Sequence, residues 1–201
     1  MVPARSLSSS EVRPASAWRP RGSWSTWARA SRSPAATPSA GRARARSWGS
    51  AHYARMDVAR ADQVAAAIDD SVQRWGRLDW AVNAAALADT PFARIADITE
   101  EDWDRTLAVD LKGVWLAMKY ELAAMLGTGG GSIVNVSSVN GLSATPQAGA
   151  YCAAKHGLHG LTKTAAAEYA AQSIRINVVC PGAHLTPMLE VVFDRLEHRP
   201  V

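Results

Sequence analysis

From Ala51 onward, short apolar runs alternate with longer segments of helical period, and that alternation allows few folds. AHYARMDV (51–58) reads as a short strand ending at Asp57. ADQVAAAIDDSVQRW (61–75) places Val64, Ile68 and Val72 on one helical face, with Gly76 closing it. LDWAVNAAA (78–86) reads as an apolar strand running into small residues. Thr99, with Asp102 three residues on, marks a helix start, and the helix runs to about Leu126. GTGGGS is a loop, IVNVS (133–137) a strand, 149–171 a long alanine-rich helix, and IRINVVC (174–180) a strand ended by Pro181-Gly182. Strands alternating with helices predict an α/β fold: a doubly wound parallel sheet with helices on both faces. Ligands of such sheets sit beyond the carboxyl ends of the strands, where Asp57, Asn83, Ser138 and Pro181 all fall.

One of those strand ends carries chemistry. SVNGLSATPQAGAYCAAK (138–155) sets Ser138 thirteen residues before Tyr151, with Lys155 four residues after the tyrosine. Positions i and i+4 share a helix face, so Tyr151 and Lys155 point together. A phenol, an ammonium and a hydroxyl converging at a strand end make a proton-transfer site. The neighbouring cation is expected to lower the tyrosine's pKa by favouring the phenolate.

The 201 residues suffice for one domain with a sizeable core. Two cysteines, Cys152 and Cys180, have neither metal-ligand nor disulfide spacing, which suits a reducing cytoplasm and no metal. No run of about 18 apolar residues appears, so no membrane span is expected. The net charge of +4 hides a division within the chain. Residues 1–50 hold nine arginines, no lysine and one acid, Glu11, for +8; residues 51–201 carry 13 basic and 17 acidic residues, for −4.

Residues 51–189 resemble the short-chain dehydrogenase/reductase family. The likeness rests on the Asp57-Val58 strand end, N-A-A-A from Asn83 to Ala86 and V-D-L-K-G (109–113). It continues through N-V-S-S (135–138), Y-C-A-A-K (151–155), I-N-V-V-C-P-G (176–182) and Thr186. Six such motifs in order and at the right spacing are specific where each alone is not.

The resemblance implies a Rossmann-like NAD(P)-binding domain and gives each residue a role. Tyr151 is the acid/base toward the alcohol or carbonyl oxygen. Lys155 lowers its pKa and hydrogen-bonds the nicotinamide ribose, and Ser138 holds the substrate oxygen. Asp57 and Val58 lie against the adenine, and Asn83, Ala84 and Ala85 along the ribose and the sheet. Pro181, Gly182 and Thr186 close over the nicotinamide. Asp110 stands where the family has an asparagine that helps order a water in the proton relay; an ionised aspartate accepts hydrogen bonds but does not donate them. The implied function is interconversion of a secondary alcohol and a ketone, or a 3-oxoacyl group, with NAD or NADP. The partner is a small-molecule substrate, and self-association as a dimer or tetramer is implied by the family's helix interfaces.

The first 50 residues depart from that pattern. Where the family has a strand, a T-G-x-x-x-G-x-G turn and a helix, this chain has Ser, Ala, Arg and Pro and four of its eight tryptophans. A disordered tail, an organelle transit peptide and a basic arm for nucleic acid are three ordinary readings. The arm lacks a folded reader, so no nucleic-acid partner is expected. A fourth reading fits better: a displaced reading frame across about residues 5–47. Taking the last base of each codon with the next two allows G-G-A-S-G-I-G-L-A from Ser10 onward. Trp27/Ala28 then forces glycine, and the following codons allow G-A-R-V-A-V, a second strand. Only nineteen residues follow Gly182, where the family continues through a substrate loop, helices and a further strand. The expected architecture is therefore an irregular segment at 1–50 and a partial domain at 51–201. The alternative to the enzyme is a catalytically incompetent fragment that binds no cofactor.

Overall fold

The computed structural model describes residues 52–87, 89–90 and 92–183. Residues 1–50, read above as irregular and frame-displaced, lie outside the described residues, as does Thr186.

Helix α1 (Ala61–Trp75) leads into β1 (Trp80–Asn83). Helix α2 (Glu100–Leu107), a π-helical turn (Ala108–Lys112) and α3 (Gly113–Leu126) then form one continuous rod. Strand β2 (Gly131–Val136) is followed by α4 (Gly149–Tyr169), and β3 (Ile174–Val179) comes last. The strands lie parallel in the order β1-β2-β3, with Ala81 opposite Ile133 and Ile133 opposite Ile176.

Local chemistry explains the boundaries. Thr99 caps the rod, its hydroxyl accepting the Asp102 amide at 3.1 Å. Gly76 ends α1 in the left-handed region at φ 78°, and its amide donates to the Val72 carbonyl. Gly130, at φ 117°, lets the chain enter β2 beside Ser173; a Cβ there would fall 2.6 Å from the Ser173 carbonyl.

The two faces of the sheet differ. Ala81, Ile133, Ile174 and Ile176 point toward α3 and α4 and meet Val114, Met118, Leu122, Leu158 and Ala165 in the main core. Ile133 and Leu158 are fully buried, and each contributes about 1.5–3 kcal/mol. A second cluster joins Met56, Val58 and Val64 to Ala85, Leu116 and Ala117. On the opposite face, Trp80, Val82 and Val179 remain exposed. Parallel sheets are ordinarily covered on both faces; here, among the described residues, helices cover one.

The parallel α/β sheet is as expected. The segment expected to be a strand ending at Asp57 pairs with no strand among the described residues. The described helices pack on one face of the sheet. The other elements match to within a few residues at their ends. No described helix is long and apolar enough to cross a membrane.

Candidate active site

The carboxyl ends of β2 and β3 and the first turns of α4 enclose a polar site. Ser138 follows β2 in extended conformation, and its hydroxyl accepts the Asn140 amide at 3.1 Å, capping a short turn (Val139–Gly141). The Ser138 loop is tied to β3 by two backbone bonds, Ser137 N–H to the Val179 carbonyl at 2.8 Å and Val139 N–H to the Pro181 carbonyl at 3.0 Å. Ser138 is thus held where β2 and β3 end together.

Tyr151 and Lys155 are one turn apart on α4. The Ser138 hydroxyl lies near enough to the Tyr151 phenol to act on it as a hydrogen-bond donor. Lys155 is 1% exposed, and its Nζ sits 5.4 Å from the centre of the Tyr151 ring. That ammonium donates to the Val136 carbonyl at 3.3 Å. Burial pushes the lysine's pKa down, and the Asp110 charge pushes it back up.

Asp110 projects from the π-helical turn, a geometry that recurs at functional sites. It is fully buried. One carboxyl oxygen, Oδ1, accepts the Leu87 amide at 2.9 Å; the other, Oδ2, has no hydrogen-bond partner among the described residues. Burial raises its pKa to about 6, against the opposing Lys155 charge and the Leu87 hydrogen bond.

The tyrosine differs from expectation. Burial raises its pKa; the Ser138 hydrogen bond opposes the rise, while the Asp110 and Cys152 charges add to it. Lys155 does not overcome this. Its proton is engaged by the Val136 carbonyl and its field is partly cancelled by Asp110. In this structure the phenol is therefore the stable form at neutral pH.

The remaining sequence-derived residues are placed as follows. Asp57 is exposed, and its carboxylate accepts the Ala59 amide at 2.9 Å. Val58 is buried against Gly113. Ala84 is exposed and Ala85 buried at the end of β1. Pro181 and Gly182 are exposed at the end of β3.

Asn83 turns into the helix-covered side. Its amide donates to Glu121 Oε2 at 3.0 Å and to Asn135 Oδ1 at 3.0 Å. Asn135 donates in turn to Thr162 Oγ1 at 3.0 Å, and Thr162 to the Leu158 carbonyl at 2.7 Å. This directed line of bonds joins α3, β1, β2 and α4 behind the site. Sequence reading missed Glu121 and Thr162; Asn135 stood inside the N-V-S-S motif without a role.

Comparison with known proteins places this arrangement. The model of the enoyl-(acyl carrier protein) reductase family matches residues 30–199, which begins inside the arginine-rich segment. The 2,5-dichloro-2,5-cyclohexadiene-1,4-diol dehydrogenase of Sphingobium indicum is 39% identical over 151 residues, 75% of this chain. The chain belongs to the short-chain dehydrogenase/reductase family.

Solved short-chain dehydrogenase/reductase structures share the fold. Levodione reductase superposes with a TM-score of 0.72 at 32% identity, over 79% of this chain and 62% of that one. ElxO with NADP bound gives 0.68 at 35% identity, over 73% and 58%. The chain spans about 60% of the length of the Sphingobium relative.

Proposed function

We propose that this chain carries the chemical half of an NAD- or NADP-dependent oxidoreductase that interconverts a secondary alcohol and a ketone or 3-oxoacyl group. The observation that supports this most is the convergence of Ser138, Tyr151 and Lys155 at one strand end. In the direction of reduction, a substrate carbonyl accepts a hydrogen bond from Ser138 and the proton of Tyr151. The phenol's raised pKa keeps that proton available at neutral pH. Lys155 stabilises the phenolate left behind. Asp110, ionised above about pH 6, keeps the buried lysine charged. The nicotinamide, when bound, exchanges the hydride with the substrate carbon.

The described residues fit the nicotinamide end of such a cofactor. Lys155 keeps N–H donors beyond the one given to Val136, and the exposed Pro181-Gly182 backbone borders the same strand end. Similar solved structures with NADP and NADPH bound support the same choice. For Asp57, Val58, Asn83, Ala84, Ala85 and Thr186 the cofactor roles are carried over from the family. Both cysteines are free thiols, consistent with a reducing cytoplasm. Self-association is part of the proposal, and exposed Trp115 on α3, with the Lys119 ammonium 5.7 Å from its ring centre, offers a contact surface.

A second reading has its own observation. Residues 1–50 hold no T-G-x-x-x-G-x-G turn for a pyrophosphate, and a displaced frame across about residues 5–47 accounts for that. The second reading is therefore a catalytically incompetent fragment that binds no cofactor.

Titration of the full chain with NADH and with NADPH, followed by nucleotide and tryptophan fluorescence, separates the two. Saturable binding, with turnover lost and binding kept in Tyr151→Phe, is the expected result. No change at millimolar nucleotide leaves only the fragment reading.

A further inference from the structure

Beside the Ser138 site lies a second cluster that the proton transfer does not use. Ser137 follows β2, Cys180 follows β3, and His159 sits midway along α4. His159 Nε2 is 3.0 Å from Ser137 Oγ and 3.4 Å from Cys180 Sγ. Ser137 Oγ donates its proton to the Lys155 carbonyl at 3.2 Å, so it accepts from His159, and Nε2 carries a hydrogen. The same N–H faces the sulfur. The thiolate is the nucleophilic form of a cysteine, and an N–H beside the sulfur is placed to hydrogen-bond it once the proton has left. Lys163 and His156, on either side of His159 along α4, add positive field at the imidazole.

Gly141 closes the cluster on one side. A Cβ there would fall 2.6 Å from Ser137 Oγ and 2.7 Å from His159 Nε2. Cys180 itself is half-buried, within reach of a small molecule. Cys152 is half-buried too, yet its neighbour His156 bonds the Cys152 carbonyl and not the sulfur.

We propose that Cys180 is a redox-modifiable thiol, held as a nucleophile by His159 and oxidised to the sulfenic acid by hydrogen peroxide. The sulfur attacks one peroxide oxygen; the S–O bond forms, the O–O bond breaks, and sulfur gives up two electrons. The departing hydroxide takes up the thiol proton and leaves as water. The added oxygen lies against His159, whose other partner, Ser137, is bonded to the Lys155 backbone. Cys180 also stands between Val179 and Pro181, the two residues whose carbonyls tie down the Ser138 loop. Oxidation therefore disturbs Ser138 and Lys155 together. That consequence rests on the function proposed above; the modification itself does not.

The test treats the full chain with hydrogen peroxide in the presence of dimedone and quantifies the trapped sulfenic acid at each cysteine by peptide mass spectrometry. Cys152 serves as the reference within the same molecule. Cys180 is expected to trap at least about ten-fold faster, with the excess abolished in denaturing urea. His159→Leu brings the two rates together, whereas His159→Gln, which keeps an N–H donor, retains most of the excess. Equal trapping in the native wild-type chain overturns the proposal without recourse to any variant, and so does an unchanged ratio in His159→Leu. No nucleotide enters either readout, so failure here is distinct from failure of the cofactor titration.

Discussion

Glu121 is a carboxyl group in the core whose hydrogen-bond partner is an amide, not a cation. Burial raises its pKa from about 4.5 to about 7, and the Asn83 hydrogen bond opposes the rise only in part. Because the folded state holds this proton more tightly than the unfolded chain, the associated stability is present below about pH 4.5. It is lost as pH rises through about 7. Glu121→Gln removes that loss. The variant is expected to be more stable than the parent at pH 8 by about 3 kcal/mol, since each tenfold gain in proton affinity on folding corresponds to ~1.4 kcal/mol. At pH 4 it should be no more stable. Urea denaturation at the two pH values measures this; an equal difference at both shows that Glu121 does not carry the dependence. Ser138, Tyr151 and Lys155 were legible in the sequence because their chemistry follows from local spacing. Glu121 was not. Its partner Asn83 is 38 residues away, and beside Lys119 and Tyr120 a glutamate on a helix reads as a solvated side chain.

At the level of elements, the contact between Gly113 and Val58 shows how the segment before α1 is held. A Cβ on Gly113 would lie 2.9 Å from Val58 Cγ2. Gly113→Ala is expected to destabilise the fold by about 1–3 kcal/mol through overpacking. In Gly113→Ala with Val58→Ala the cost of the added methyl should largely vanish, since the clash is gone; a double-mutant cycle by thermal or urea unfolding reads the coupling. Strict additivity refutes the contact. Helix α1 was legible from its period and closing Gly76, the start of the rod from its Thr99 cap, and α4 from its long alanine-rich run. The segment at 52–57 has the composition of a strand, but a strand is defined by its partner, and its own residues do not encode one. The π-helical turn that presents Asp110 was equally hidden, because one extra residue in a helical turn leaves the apolar pattern of 100–126 almost unchanged.

Taken together, the described residues form a three-stranded sheet with helices on one face. The alternating order of strands and helices fixed the fold class because only a parallel sheet accommodates it. The covering of the second face was not legible, since Trp80, Val82 and Val179 read as buried strand residues whether or not anything lies on them. Among the described residues the outer edge of β1 has no partner strand, and that edge carries its own clock. The Asp79 carbonyl accepts the Ser132 amide at 2.9 Å, so by the two-residue repeat of a strand Ala81 faces β2, while Trp80 and Val82 turn their amides outward. In deuterated water the amides of Trp80 and Val82 should therefore exchange orders of magnitude sooner than that of Ala81. Matched slow exchange at all three positions would instead record the arrival of a partner strand from elsewhere in the chain or from another molecule.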